Sequence, residues 1–170
     1  MNYYLIGMMG SGKTTIGNLL SNKLEHNFFD IDQIIEENYK TTISNFFEIY
    51  GEKKFRDTES SMLKKLNGGI ISCGGGIILN NDNISFMKDN GICILLKAST
   101  NTLKSRLIGN NSRPLLKQDE DKTKIDTIWK ERREKYLYAA DYEFNTDQKT
   151  PVQITSKIIK TIFLWKKLNS

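Results

Sequence analysis

Short apolar runs alternate along this chain with longer stretches in which apolar residues recur at helical spacing. The runs are those typical of buried strands, and they lie at 3–6, 28–29, 70–73, 92–96 and 142–144. Helical spacing follows the first run in Ile16, Leu19, Leu20 and Leu24, and a final helical stretch covers 152–168 behind Pro151. Strands and helices in alternation predict an α/β fold whose parallel sheet is covered on both faces.

The first predicted strand leads directly into the most specific motif of the chain, Gly7-Met8-Met9-Gly10-Ser11-Gly12-Lys13-Thr14. It matches the pattern G-x-x-x-x-G-K-[ST] at every position and lies between a strand and a helix, as the motif requires. Glycines let successive backbone N–H groups point at a phosphate chain, and the helix N-terminus adds its own N–H groups. Lys13 then reaches the β- and γ-phosphates and Thr14 ligates Mg²⁺. The motif therefore predicts a nucleoside triphosphate site.

From the length of 170 residues and the composition, we expect one soluble domain without a leader or a membrane span. Cys73 and Cys93 lie in strand-like runs, which favours reduced core thiols and a cytoplasmic protein. The net charge of +5 fits nucleic-acid binding, an acidic small substrate beside a nucleotide, or a plain lysine-rich surface. No Lys/Arg run is long enough to favour nucleic acid by itself.

Two carboxylates follow the second strand, at Asp30 and Asp32. In an extended segment, alternation places both on one face at the carboxyl end of the strand, where ligands bind in an open α/β sheet. One would hold the water shell of Mg²⁺ and the other would accept a proton from a substrate hydroxyl. Because Ile34 and Ile35 follow at helical spacing, a helix N-cap is the alternative.

Further candidates come from glycine and arginine. Gly74-Gly75-Gly76 after the third strand favours close approach of a ligand, the alternative being a tight turn. Arg56 and Arg132 lie in charged helical segments, where an exposed face is the default, although an arginine fork suits a carboxylate. Arg106 and Arg113 flank the stretch 109–112, which with the polar residues up to 124 indicates a lid over phosphates.

Taken together, these motifs resemble the shikimate kinase family over nearly the whole chain. The P-loop alone identifies only a very large superfamily, whereas the ordered set of motifs is much more specific. That set consists of Gly7–Gly17, Asp30-Ile31-Asp32, Gly51-Glu52 with Phe55-Arg56 and Glu59, Ser72-Cys73 before the triple glycine, Arg113-Pro114-Leu115-Leu116, Arg132 with Tyr136 and Ala140, and Pro151.

The resemblance implies a fold like that of the nucleoside monophosphate kinases, with a five-stranded parallel sheet of order 2-3-1-4-5 flanked by helices. It implies transfer of the γ-phosphate of ATP to the 3-hydroxyl of shikimate in aromatic amino-acid biosynthesis. It also implies one domain over 1–170, with a shikimate-binding region at about 32–60 and a lid at 109–124. We expect a cytoplasmic monomer that uses Mg²⁺ and binds neither nucleic acid nor membrane.

Residue roles follow from the same resemblance. Catalysis falls to Lys13, Asp32 and Arg113, while Thr14 holds the metal and Asp30 supports it. The shikimate-binding set comprises Asp32, Arg56, Gly74, Gly75, Gly76 and Arg132. The ATP-binding set comprises Gly10, Ser11, Gly12, Lys13, Thr14, Thr15, Arg106, Arg113, Lys149 and Pro151, with Arg106 and Pro151 on either side of the adenine.

Departures from the family pattern leave two points open. Arg133-Glu134-Lys135 stands where the family often has Ala-Pro-Leu, so either Arg132 or Arg133 meets the carboxylate, and the spacing to Tyr136 favours Arg132. Lys149 stands where an arginine is frequent, and it lacks the planar stacking surface of a guanidinium.

Three other functions compete with this one. A different small-molecule kinase, such as a gluconate or adenylate kinase, has the same P-loop and a lid. A GTPase is indicated only by a T-K-x-D match at 123–126, which lies in a helical stretch. A nucleic-acid ATPase would need basic runs and aromatic platforms that this sequence lacks.

Overall fold

A five-stranded parallel sheet forms the centre of the computed structural model, which describes residues 1–107 and 121–168. Each apolar run named above coincides with one of its strands, except that Cys73 of the third run follows its strand. The strands are β1 (Asn2–Ile6), β2 (Asn27–Asp30), β3 (Gly69–Ser72), β4 (Gly91–Lys97) and β5 (Tyr142–Asn145). Their spatial order is β2-β3-β1-β4-β5, so the predicted α/β fold and strand order are confirmed.

Helices connect successive strands, as parallel pairing requires. They are α1 (Lys13–Leu24), α2 (Ile31–Tyr39), α3 (Ile43–Lys65), α4 (Asn81–Asn90), α5 (Thr100–Leu107), α6 (Asp121–Ala139) and α7 (Pro151–Leu168), with a 3₁₀ helix at Ile77–Leu79. The long α3 is kinked at Gly51, whose φ of 77° is a conformation that favours glycine. Pro151 begins α7, as its missing N–H allows.

Helices bury both faces of the sheet. Successive side chains of the central strand β1 point to opposite faces. Tyr3 and Leu5 pack with Ile16 of α1 and Ile158 of α7 on one face. Tyr4 and its neighbours on the opposite face pack with residues of the remaining helices. The result is a three-layer arrangement that holds the carboxyl ends of the strands together along one edge.

Both cysteines are buried free thiols, as the sequence predicts. Cys73 follows β3 and Cys93 lies within β4. Burial raises the pKa of both thiols, that of Cys93 to about 12, so each stays protonated and unreactive. Within the described part of the chain, no helix is both long and apolar enough to cross a bilayer.

The carboxyl edge of the sheet carries the segments singled out from the sequence, with one correction. The extended geometry expected for Asp30-Ile31-Asp32 is wrong, because β2 ends at Asp30 and α2 begins at Ile31. The Asp30 carboxylate caps α2 by accepting from the backbone N–H groups of Asp32 and Gln33. Because this cap starts a helix at Ile31, the side chains of Asp30 and Asp32 do not follow the alternation of an extended strand.

Candidate active site

The P-loop curls between β1 and α1 with its lysine folded back over it. Gly12, at φ 95°, precedes the helix, which begins at Lys13. The Lys13 ammonium donates to the carbonyl oxygens of Gly7 at 2.9 Å and Met8 at 3.0 Å. The buried Ser11 hydroxyl has no hydrogen-bond partner among the described residues. A buried polar group without a hydrogen-bond partner destabilises a fold, so this loop has the chemistry of an anion-binding site.

A cleft of about 380 Å³ opens over this loop. Its walls come from the P-loop, the end of β2 and the segments around α5 and α7. Among the lining residues are all the described members of the predicted ATP-binding set, namely Gly10, Ser11, Gly12, Lys13, Thr14, Thr15, Arg106, Lys149 and Pro151. We call this space the nucleotide cleft, and its size is that of an ordinary small-molecule site.

Arg106 joins two walls of the nucleotide cleft. Its guanidinium donates to the carbonyl oxygen of Gly10 at 3.3 Å, and to the hydroxyl and the carbonyl oxygen of Thr146 at 3.1 and 3.0 Å. The Lys149 ammonium donates to the Asn145 carbonyl at 3.2 Å, on the same wall. Arg106 and Lys149, which the resemblance predicts to bind ATP, therefore both lie in the wall of the nucleotide cleft.

Thr14 and Asp30 meet at the floor of the cleft. The Thr14 hydroxyl donates to Oδ2 of Asp30 at 2.7 Å, while Oδ1 caps α2. A hydroxyl and a carboxylate beside a phosphate-binding loop fit Mg²⁺, which takes one or two protein oxygens together with phosphates and water. In the described ranges, no cluster of three His, Cys, Asp or Glu side chains offers an all-protein metal cage. The donor set therefore suits a metal that arrives with its nucleotide.

A second, narrower pocket adjoins the cleft, and we call it the acceptor pocket. Its lining is Met9, Asp32, Ile43, Phe47, Phe55, Arg56, Glu59, Gly74, Gly75, Gly76 and Arg132. It contains the whole predicted shikimate-binding set together with an apolar wall. Asp32 lines both the acceptor pocket and the nucleotide cleft, so it stands at their junction.

Arg56 is held in the acceptor pocket by two carboxylates of its own helix. Its Nη1 lies 2.9 Å from Oε2 of Glu59, and its Nη2 lies 3.1 Å from Oε1 of Glu52. The guanidinium also lies over the ring of Phe55, at 5.1 Å from the ring centroid. These contacts fix the orientation of the fork before any ligand arrives.

The carboxyl group of Glu59 has a raised pKa because it is buried in the wall of the acceptor pocket. Only 1% of its side chain is exposed, and Oε1 has no hydrogen-bond partner within the described ranges. Burial raises its pKa to about 7, against the opposing effect of Arg56 and with a further increase from Asp32. Gly74 makes room for it, because a Cβ there would collide with Oε1.

Helical register decides between the two adjacent arginines of α6. Arg132 is 8% exposed and lines the acceptor pocket, where its Nη1 donates to the Gly75 carbonyl at 3.1 Å. Arg133, one position further round the helix, is exposed. The Tyr136 hydroxyl donates to the same Gly75 carbonyl at 2.6 Å. The geometry therefore favours Arg132 as the pocket cation.

Two sequence features remain. Residues 109–120, which include Arg113 and most of the lid expected at 109–124, lie outside the described residues. The T-K-x-D match at 123–126 lies inside α6, where Asp126 forms an ion pair with Lys104 of α5. A guanine-reading aspartate needs to face a nucleotide base, so this ion pair weighs against a GTPase.

A family model described as shikimate kinase matches residues 9–163, which is most of the chain. The chain belongs to the shikimate kinase family. Among curated members of the family, a shikimate kinase of Sulfurihydrogenibium sp. (strain YO3AOP1) is 41% identical over 164 residues, which cover 95% of this chain and 97% of that protein.

Solved structures agree with this membership. The shikimate kinase of Acinetobacter baumannii, determined in complex with shikimate, is 33% identical and covers 97% of this chain, with 94% of that chain covered and a TM-score of 0.93. A deoxyadenosine kinase from M. mycoides has a TM-score of 0.63 at 20% identity, covering 95% of this chain and 98% of its own. That more distant likeness concerns the fold alone.

Sequence reasoning named Glu59 and Tyr136 within the family motif set but assigned neither of them a role in the site. Glu59 lies three positions after Arg56, so helical spacing could have marked the two as an ion pair. The contacts of Arg106 with Thr146 and of Tyr136 with Gly75 join segments that are 40 and 61 positions apart. No local pattern announces such pairs, because the folded sheet brings them together.

Proposed function

We propose that this protein transfers the γ-phosphate of ATP to the 3-hydroxyl of shikimate, giving shikimate 3-phosphate and ADP. Membership of the shikimate kinase family supports the activity. The observation that carries the proposal is the position of Asp32, which lines both the nucleotide cleft and the acceptor pocket. A carboxylate at that junction faces both the acceptor hydroxyl and the γ-phosphate, which the hydroxyl attacks.

The donor half of the reaction belongs to the P-loop. Its backbone N–H groups bind the phosphates, and Lys13 exchanges its carbonyl partners for the β- and γ-phosphate oxygens. Thr14 and Asp30 would hold Mg²⁺, which when bound neutralises charge on the phosphates. Arg106, Lys149 and the first turn of α7 border the nucleoside end of the cleft.

The acceptor half separates by chemistry. A carboxylate can accept a proton from a hydroxyl group, and Asp32 is the acceptor-pocket carboxylate that also lines the nucleotide cleft, so Asp32 orients the 3-hydroxyl and takes its proton. Arg56 and Arg132 provide the cationic forks that suit the shikimate carboxylate. The apolar side chains Met9, Phe47 and Phe55 bound the space left for the ring. We therefore assign residues 32–60, with the triple glycine and Arg132, to acceptor binding.

In the transfer itself, the 3-oxygen of shikimate forms a bond to the γ-phosphorus while the bond from that phosphorus to the β,γ-bridging oxygen breaks. The hydroxyl proton passes to the Asp32 carboxylate, and ADP leaves with the electron pair of the broken bond. Catalysis consists mainly of positioning and charge stabilisation, so few protein groups take part in covalent chemistry. We also propose that the protein acts as a monomer in the cytoplasm. The two buried free thiols are in keeping with a reducing compartment.

Substitution of one residue from each group tests this division. Arg56→Lys keeps the charge and loses the fork, so KM for shikimate rises by one to two orders of magnitude while KM for ATP stays within about twofold. Asp32→Asn depresses kcat by about 10²–10⁴ because the amide cannot take the proton. Initial rates measured over both substrate concentrations check the split. Equal weakening of ATP and shikimate by Arg56→Lys, or a near-parental kcat for Asp32→Asn, contradicts the assignment.

An acceptor panel tests the activity itself. Purified protein with ATP and Mg²⁺ releases ADP rapidly with shikimate, and only at a background rate with gluconate or AMP. A preference for gluconate or AMP identifies a different small-molecule kinase on the same fold.

A further inference from the structure

Tyr136 lies behind the acceptor pocket and does not line it. Its side chain is fully buried, and its hydroxyl donates to the Gly75 carbonyl at 2.6 Å. Burial raises the pKa of this hydroxyl above its ordinary value, so it remains a donor throughout the working pH range. Gly75, in contrast, is part of the pocket wall.

The bond from Tyr136 fixes more than one oxygen atom. A peptide unit is planar, so anchoring the Gly75 carbonyl toward α6 also sets the direction of the N–H group of Gly76 on the opposite side. Gly75 has no side chain with which to anchor itself, and glycine has the widest conformational freedom of any residue. Its orientation therefore depends on the donors that hold its carbonyl, which are Tyr136 and Arg132.

Lys135 holds the other end of the same segment. Its ammonium donates to the carbonyl of Leu79 at 2.9 Å, at the end of the 3₁₀ helix that follows the triple glycine. That carbonyl is one of the terminal groups that a short helix leaves unsatisfied. Residues 75–79 are thus tied to α6 at both ends, by the side chains of Tyr136 and Lys135.

We propose that Tyr136 and Lys135 are positioning residues for the acceptor, acting through the backbone of residues 75–79 and without contact with the acceptor itself. This inference rests on the proposed function, since it concerns the affinity for the acidic substrate. It adds to the acceptor site two residues of α6 whose side chains do not line the pocket. Lys135 belongs to the positions at which this chain departs from the common family pattern.

Substitution of Tyr136 by Phe removes one oxygen atom and preserves the packing of the ring. We expect KM for shikimate to rise about tenfold, which corresponds to about 1.4 kcal/mol, while KM for ATP stays within twofold. Tyr4→Phe is the matched control, because Tyr4 is equally buried, accepts a hydrogen bond from Asn2 at 2.7 Å and lines neither pocket. A purely structural role predicts the same small loss of thermal stability in both variants and no change in either KM.

Lys135→Met is the second variant, and it keeps the proposal testable if Tyr136→Phe does not fold. Lys135 is partly exposed, so its methionine variant retains the fold, and KM for shikimate rises about threefold with KM for ATP unchanged. The proposal is overturned if KM for shikimate stays within 1.5-fold in Lys135→Met, or if Tyr136→Phe and Tyr4→Phe behave alike. The activity of the unsubstituted protein towards shikimate tests the proposed function independently of these variants. If it phosphorylates another acid, the function is wrong, and the same KM comparison with that acid decides the role of α6.

Discussion

The buried carboxyl group of Glu59 gives the stability of this protein a pH dependence that one substitution isolates. Two glutamates contact Arg56, and they differ in environment. Glu59 is 1% exposed and has a pKa of about 7, whereas the side chain of Glu52 is 54% exposed. Glu59→Gln removes the titrating group at nearly constant volume. Glu52→Gln is the matched control, because it removes a carboxylate from the same arginine.

The sign follows from the two pKa values of Glu59. In the unfolded chain the group has a pKa near 4.5, and folding raises it to about 7. The folded state therefore favours the protonated form, so its contribution to stability is full below pH 4.5 and is lost as the pH rises to 7. At about 1.4 kcal/mol per pKa unit, the whole contribution is about 3 kcal/mol, most of it lost between pH 5 and 8.

Urea unfolding of the three proteins at several pH values from 5 to 8 measures this contribution. Over that range the parent loses about 2–3 kcal/mol of unfolding free energy relative to Glu59→Gln, because the glutamine side chain does not titrate. Glu52→Gln follows the parent curve within about 0.5 kcal/mol. Parallel curves for the parent and Glu59→Gln refute the reasoning, since they mean that the Glu59 carboxylate is as well stabilised as it is in water.

Two further predictions concern the walls of the acceptor pocket. Gly74→Ala places a methyl group against the buried carboxylate and destabilises the protein by about 1–3 kcal/mol, whereas Gly75→Ala, whose nearest neighbours would lie 3.6 Å away, costs under about 1 kcal/mol. Urea unfolding without ligands checks this pair, and equal losses contradict it. Arg132→Lys raises KM for shikimate about tenfold and Arg133→Lys leaves it within twofold. Steady-state kinetics measure both KM values, and a larger effect of Arg133→Lys would contradict the assignment of Arg132 to the acceptor pocket.

The elements that sequence reasoning predicted are those specified locally. The P-loop pattern and the five apolar runs depend on neighbouring residues only, and each occupies its expected place. The segment after β2 shows the limit of such reasoning. One carboxylate oxygen of Asp30 caps α2, as the alternative interpretation predicted, while the other accepts from Thr14, and the metal-supporting role of Asp30 stays a prediction. Alternation and capping competed over three residues, and the two backbone bonds of the cap determined the outcome.

The unpredicted part of the site depends on distant segments. A pattern identifies Arg132 and Arg133 as neighbours in α6, and only the packing of that helix on the triple glycine buries one of them. The raised pKa of Glu59 likewise results from burial and from Asp32, which lies on another helix. Local sequence identified the chemistry available, while tertiary packing determined which groups line the acceptor pocket.

The position of the phosphate on the product is the most direct test of whether this protein phosphorylates the 3-hydroxyl of shikimate. Purified protein is incubated with ATP, Mg²⁺ and shikimate, and the product is examined by phosphorus–proton correlation NMR. We expect ADP and one monophosphate in equal amounts, with the phosphorus coupled to the proton on carbon 3 of the ring. Coupling to the proton on carbon 4 or carbon 5 would mean that Asp32 does not select the 3-hydroxyl, and ADP release without a phosphorylated acid would mean that the protein is not a shikimate kinase.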